Sequence, residues 1–274
     1  MTRLSTTRLL VAICLVFVAE SGALAQEPND AVLKPAEPDF TLISLPTSLR
    51  LPKFGSAFRV THRFTRPLSC DACPESLLED FFGIDSGAQI GLEYRFGIVP
   101  SGQIGIHRTR DKTIEFFGEY GLVRQGSRLP LDVTVLASID GTNNFKDSYS
   151  PALGAIVSRR VGDIAAFYLE PIWVNNSNQL PSQLADHNDT FLVGLGARIR
   201  VRPTVYLVGE YAPRASGYKP GVDHASFGIE KRAGGHMFQL NFSDSFATTM
   251  GQLARGGINS SDWYMGFNIT RKFY

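Results

Sequence analysis

The chain has 274 residues, with 27 Lys and Arg against 26 Asp and Glu, a formal net charge of +1, and a mean hydropathy close to zero. That balance argues against nucleic acid or an anionic surface as the partner. No stretch after the N-terminal leader approaches the roughly 18 consecutive apolar residues of a spanning helix, which excludes a helical membrane protein; a β-barrel stays open, because alternating strands average out near zero.

Residues 1–25 read as a secretory leader. Arg3 and Arg8 supply the positive start, Leu9 to Ala19 the apolar stretch, and Ala23-Leu24-Ala25 the cleavage site. A membrane-anchor helix is the other reading, and the apolar run is too short for it. Cleavage removes Arg3, Arg8 and Glu20, so Lys and Arg fall from 27 to 25, Asp and Glu from 26 to 25, and the mature net charge is 0. Residues 26–54 carry Pro28, Pro35, Pro38, Pro46 and Pro52 and read as an extended periplasmic N-terminal segment; a small plug inside a lumen is the alternative.

Residues 55–274 then read as one domain of twelve alternating segments, each near the roughly 10 residues of a tilted spanning strand. In chain order they are 57–64, 86–96, 103–109, 114–123, 132–139, 152–160, 164–174, 190–200, 204–212, 224–231, 236–243 and 262–274. The clearest sets Ala88, Ile90, Leu92, Tyr94 and Phe96 against Gln89, Glu93 and Arg95. The third, sixth, seventh and ninth to twelfth alternate more weakly. Pro171 sits within a strand pattern and is expected near the outer rim, where a bulge is tolerable.

The links also alternate. The odd-numbered ones (65–85, 110–113, 140–151, 175–189, 213–223, 244–261) are longer than the even-numbered ones (97–102, 124–131, 161–163, 201–203, 232–235), and only 110–113 breaks the rule. Outer-membrane barrels have short periplasmic turns and longer outside loops, whereas a soluble sandwich has no reason to alternate. In hydrocarbon, closure also pairs every backbone group and leaves no edge. The expectation is an all-β, single antiparallel transmembrane β-barrel of about twelve strands in the outer membrane of a Gram-negative bacterium.

The last segment places Trp263, Met265, Phe267, Ile269 and Phe273 on one face and Tyr264, Asn268, Thr270 and Lys272 on the other, and the sequence stops at Tyr274. An alternating strand with an aromatic end resembles the signal read by the barrel-assembly machinery. Phe267, Ile269, Phe273 and Tyr274 would carry it, with Tyr274 one residue beyond the usual register. That machinery, periplasmic chaperones and outer-membrane lipid are the expected partners. Phe64, Phe96, Trp173, Tyr211, Phe242 and Trp263 fall near strand ends, as interfacial girdles do.

Alternation sends Arg59, Arg63, Arg95, Arg198 and Lys272 to the lumen together with Glu93, Glu115, Glu119, Glu170, Glu210 and Glu230. A one-sign ring would argue for ion selectivity; this mixture argues for pairs across the lumen. Such a barrel is wider than the filled eight-stranded kind and narrower than a porin. Arg at Leu92 or Phe267 should cost a few kcal/mol near mid-membrane, and Arg at Gln89 or Asn268 should be tolerated.

Little points to catalysis, a cofactor or a metal. Cys70 and Cys73 form C-x-x-C before Pro74, so haem attachment lacks its His and zinc lacks two ligands; a small disulfide is expected, with a redox role the alternative. His224 and Ser226 lie two apart, and pairing Phe227 with Leu240 would set Ser226 opposite Asn241. A His-x-Ser with Asn on the next strand resembles outer-membrane phospholipase A, a barrel whose catalytic groups face lipid, whereas here alternation turns all three inward.

Three stretches, FRVTHRFTRPL, FFGIDSGAQIGLEYRFG and GGHMFQLNFSDSFATTMGQ, resemble a bacterial outer-membrane β-barrel family known as domain of unknown function 5777. The likeness runs over most of 45–274. It implies a barrel and supplies no activity, so no functional residue is carried over. The expected job is a porin-like or transport-associated channel for a small solute that the sequence does not name. The alternatives are a closed barrel presenting loops such as 175–189 and 244–261 and, third, a barrel phospholipase.

Overall fold

The structure, a computed structural model, describes residues 35–69, 87–127, 129–178, 189–257 and 259–274. The leader, Cys70 and Cys73 lie outside the described residues. The strands are β1 (Ser56–Pro67), β2 (Ala88–Val99), β3 (Gly102–Thr109), β4 (Ile114–Val123), β5 (Asp132–Gly141), β6 (Asp147–Val161), β7 (Ala165–Val174), β8 (Thr190–Arg202), β9 (Val205–Ala212), β10 (Arg214–Ser216), β11 (His224–Ala233), β12 (His236–Ser243) and β13 (Tyr264–Phe273). One short helix, α1 (Met250–Arg255), follows β12.

Every strand pairs antiparallel with its neighbours, and β13 pairs with β1. β10 is a three-residue continuation of β9 past Pro213, still on β8, so the wall is a closed ring of twelve strands. Closure satisfies the backbone of every strand without water. Outward positions hold large apolar side chains open to the surroundings, among them Leu92, Tyr94, Phe116, Leu153, Phe167 and Phe227. No helix among the described residues is long and apolar enough to cross a membrane.

The wall departs from the sequence reading in three places. β5 and β6 run into their link and leave only residues 142–146, so two links on the long-loop side are short. Pro171 lies three residues from the outer end of β7, but no bulge forms. It keeps register opposite Val193, and the β6 ladder simply omits the pairs between Gly154–Ile172 and Val157–Leu169. The β11–β12 hairpin pairs Phe227 with Phe242, two residues from the expected register, so Ser226 stands opposite Ser243 and Asn241 opposite Gly228.

The interior is not uniformly polar. On β6 to β9, Ile156, Tyr168, Ile172, Leu192, Tyr206 and Val208 point inward and are buried. Both faces of β6, β7 and β9 carry apolar residues, which is why their alternation reads weakly.

Candidate functional site: the filled lumen

Residues 36–51 are not an extended lead-in. They enter the barrel, and all but Arg50 are buried. Residues 40–47 form a tight turn, closed by Leu42 N–H to the Leu45 carbonyl at 2.8 Å and Thr47 N–H to the Phe40 carbonyl at 2.8 Å. Leu42, Ile43 and Leu45 at its tip pack on the apolar β5–β9 wall, and Phe40, Leu49 and Leu51 pack with Ala57 and Tyr274. Tyr274 therefore lies beyond the outward register because it packs on this segment, while Phe273 stays outward and exposed. Prolines are compatible with this placement because the segment takes few ladder bonds of its own; side chains of the wall satisfy its main chain instead.

Those wall contacts run round the ring. The Glu210 carboxylate accepts the N–H groups of Ile43, Ser44 and Leu45 at 3.0, 2.9 and 3.0 Å. Arg198 donates to the Thr41 carbonyl at 2.7 Å, Gln239 to that of Leu42 at 2.7 Å, and Asn268 to that of Ile43 at 3.0 Å. Arg59 donates to the Ile43 carbonyl and Lys272 to that of Pro38. Gln103 takes the Leu51 N–H at 3.0 Å and donates to the Leu49 carbonyl at 3.2 Å. Inward glycines make the seat. A Cβ at Gly196 would collide with Leu42, one at Gly121 would collide with the Arg50 guanidinium, and one at Gly194 would stand 3.0 Å from Leu45.

The lumen-lining candidates are all buried inside the ring, in two groups. On β1 to β4, Glu93 lies 3.3 Å from Arg59 and 2.8 Å from Arg95, and Arg95 reaches Glu119 at 2.9 Å. Gln103 adds a 2.7 Å bond to Glu119. Across the lumen, Arg198 grips Glu230 through two bonds of 2.6 and 2.9 Å, and Gln239 joins them at 2.7 Å. Arg63 stands apart with a 2.8 Å bond to Asn268, and neither carboxylate oxygen of Glu170 has a hydrogen-bond partner. Asn268 thus has three roles at once, so the expectation that Arg would be tolerated there is withdrawn; Gln89, beside a cavity at the mouth, keeps it.

The long segment after β12 also turns inward rather than standing outside. Ala247, Met250, Leu253 and Ala254 are buried among β5 to β9. Thr249 and Gln252 form a capping box at the start of α1. Two carboxylates opposite each other in the β4–β5 ladder receive that helix start: Glu115 takes the Met250 N–H at 3.0 Å, and Asp140 takes the Thr249 hydroxyl at 2.7 Å and the Gly251 N–H at 3.1 Å. Carboxylates are favoured at a helix N-terminus, so wall and loop hold each other. Outside the wall, Arg214 and Asp223 pair at 3.1 Å. Partial burial opposes ionisation of Asp223, and the Arg214 N–H and guanidinium outweigh it, holding the carboxyl below its ordinary value.

Three cavities lie along the charged β1–β5 side. A cavity of about 240 Å³ opens among Thr61, Gln89, Asp111, Thr248 and Arg255 at the long-loop end, and one of about 330 Å³ among Arg50, Leu51, Ser101 and Arg124 at the short-turn end. A third, small cavity of about 20 Å³ lies deeper, bordered by Arg59, Glu93, Arg95, Glu115 and Glu119 and by Thr41, Ser44 and Pro46 of the inserted segment.

His224 and Ser226 come together, with Ser226 Oγ 3.1 Å from His224 Nε2. The same nitrogen also meets Glu210 at 2.9 Å, and Nδ1 meets Ser245 at 2.8 Å. Asn241 bonds Gln239 instead. All three side chains are buried inside the ring, so the lipid-facing arrangement of a phospholipase is not formed. His224 instead links the lumen segment, through Glu210, to the inward loop.

A family model described as a membrane bound beta barrel domain, DUF5777, matches residues 39–273. The chain belongs to the DUF5777 family. The match begins at Asp39, within the segment that fills the lumen, so residues 39–51 of that segment fall inside the DUF5777 domain. Among curated proteins, none matches. Among solved structures, an outer membrane channel of Pseudomonas putida F1 is similar at 11% identity and a TM-score of 0.46, over 81% of this chain and 97% of that one. A triple mutant of the Rhodopseudomonas blastica porin is similar at 10% identity and a TM-score of 0.37, over 68% of this chain. The match spans about half, 55%, of that porin's length.

The sequence reading missed the seat. Its signal was small residues at inward positions, Gly194 and Gly196, on a strand whose inward row also holds Leu192. Small and apolar inward residues leave room for, and attract, something other than water.

Proposed function

We propose that this chain is a porin-like channel of the Gram-negative outer membrane, delivered by its leader, passing small polar solutes and held shut by its own residues 36–51. The observation that carries the reading is the charged row of Arg59, Glu93, Arg95 and Glu119. It borders a small cavity deep in the lumen, on the same side of the wall as the wider cavities at the two ends. A purely structural core would not keep such a row, because desolvated ion pairs add little stability over apolar packing. In this reading Phe267, Ile269 and Phe273 form the outward row offered to the assembly machinery.

Single-channel recording in planar bilayers tests it, comparing the mature chain with a variant whose residues 36–51 are replaced by a Gly-Ser linker of equal length. A steady open level in the variant and a mostly closed wild type are expected. A folded variant with no conductance would favour the second reading, a closed interaction barrel, for which the filled lumen speaks.

A further inference from the structure

The short-turn end of the wall carries cations on its outer face. Arg159 of β6, Lys231 of β11 and Arg271 of β13 take outward positions, beside the buried inward Ser158, Glu230 and Lys272. Each stands in the ladder opposite an outward phenylalanine: Arg159 opposite Phe167, Lys231 opposite Phe238, and Arg271 opposite Phe58. A fourth pair lies at the same end, where the Lys53 ammonium sits 4.7 Å over the ring of Phe54, which is 69% exposed. The Arg271 guanidinium also lies 5.7 Å from the Phe273 ring. Three of these pairs fall on the continuous arc from β11 through β13 to β2, and the Arg159 pair lies across the ring at β6–β7. The long-loop end differs. Its outward Arg108 is bonded to Asn144 at 3.1 Å, and its exposed loop charges are of both signs, with Asp111, Asp147 and Asp189 beside Arg110, Lys112 and Lys146.

An aromatic ring beside a long cationic side chain suits a membrane interface, where the ring sits at headgroup level and the cation extends to the headgroups. An outward cation on a strand cannot reach a solute in the lumen, whereas Lys53 also borders the cavity at the short-turn end. Lys53, Arg159, Lys231 and Arg271 form no ion pair among the described residues, so their charge is available. We propose that Arg159, Lys231 and Arg271 form a collar that binds the headgroups of anionic phospholipids in the leaflet at the short-turn end. The outward direction and the adjoining rings favour lipid over an acidic protein seated on the barrel end, which would meet the exposed turn cations Arg124 and Arg202 instead.

The test uses the full mature chain in nanodiscs holding equal amounts of phosphatidylglycerol and phosphatidylethanolamine, with retained lipids counted by native mass spectrometry after release. Phosphatidylglycerol should be enriched among the retained lipids, and inorganic phosphate should not displace it. Arg159→Gln, Lys231→Gln and Arg271→Gln should each lower that enrichment, by roughly fivefold per cation lost. Arg108→Gln should leave it unchanged. Equal retention of the two lipids by the wild type overturns the collar, as does undiminished enrichment in the triple variant. If the triple variant fails to show the heat-modifiable migration of a folded barrel, Arg159→Gln alone gives the same reading. Capture of a soluble polyglutamate peptide without lipid preference also overturns it.

Discussion

Glu210 offers the sharpest test of how the lumen is closed. Its carboxylate receives three consecutive N–H groups of the inserted turn, at 2.9 to 3.0 Å, and also faces His224. Glu210→Ala leaves those three buried donors without a partner. Each orphaned donor costs about 1–3 kcal/mol, and water entering the space recovers part of the total. A net loss of about 3 kcal/mol shifts the in–out equilibrium of the turn by roughly 150-fold. The wall's ladders do not depend on this side chain, so the barrel should stay folded. Open fraction in planar bilayers should rise accordingly, and trypsin should cut faster after Arg50, whose guanidinium now bonds the Val123 carbonyl at 2.8 Å. Glu170→Gln is the control, since that inward carboxylate holds nothing, and it should leave both readouts unchanged. A folded Glu210→Ala barrel with wild-type open fraction and cleavage would refute the reasoning.

Gly196→Val should force Leu42 from its seat, costing about 1–3 kcal/mol and loosening closure, measured by urea unfolding and by conductance. Arg95→Gln removes the cation shared by Glu93 and Glu119; the two carboxylates left behind should cost about 3–5 kcal/mol, read as a lower unfolding midpoint. Leu92→Arg puts a charge on the outward face and should cost about 2–4 kcal/mol near mid-membrane, whereas Gln89→Arg at the mouth cavity should fold like wild type. For Cys70 and Cys73, alkylation should appear by mass spectrometry only after reduction; labelling of the untreated protein would exclude the disulfide.

The wall was readable because its strands alternate, β2 most cleanly and others, β3 and β13 among them, more weakly. Ala88 to Phe96 places every residue on its face from periodicity alone, and the closing β13–β1 pair follows from the strand count. The register of β11 on β12 was not readable, because Phe227 can oppose either Leu240 or Phe242 with the same face outward. The filling of the lumen was harder still. Residues 36–51 carry prolines and no period, and their bonds run through main-chain groups that any sequence possesses. Their partners, Gln239, Asn268 and Gln103, look like ordinary pore-lining residues until a backbone is laid against them. The inward turn of α1 escaped for a related reason, since Met250, Leu253 and Ala254 are too few to mark a buried helix by pattern.

One strand of the ring does double duty. Through Asn268, Thr270 and Lys272, β13 clasps Ile43, Asp39 and Pro38, and the same strand zips onto β1 to complete the circle. The seam of the ring and the seat of the inserted segment therefore share one strand, and a change that loosens β13 acts on both.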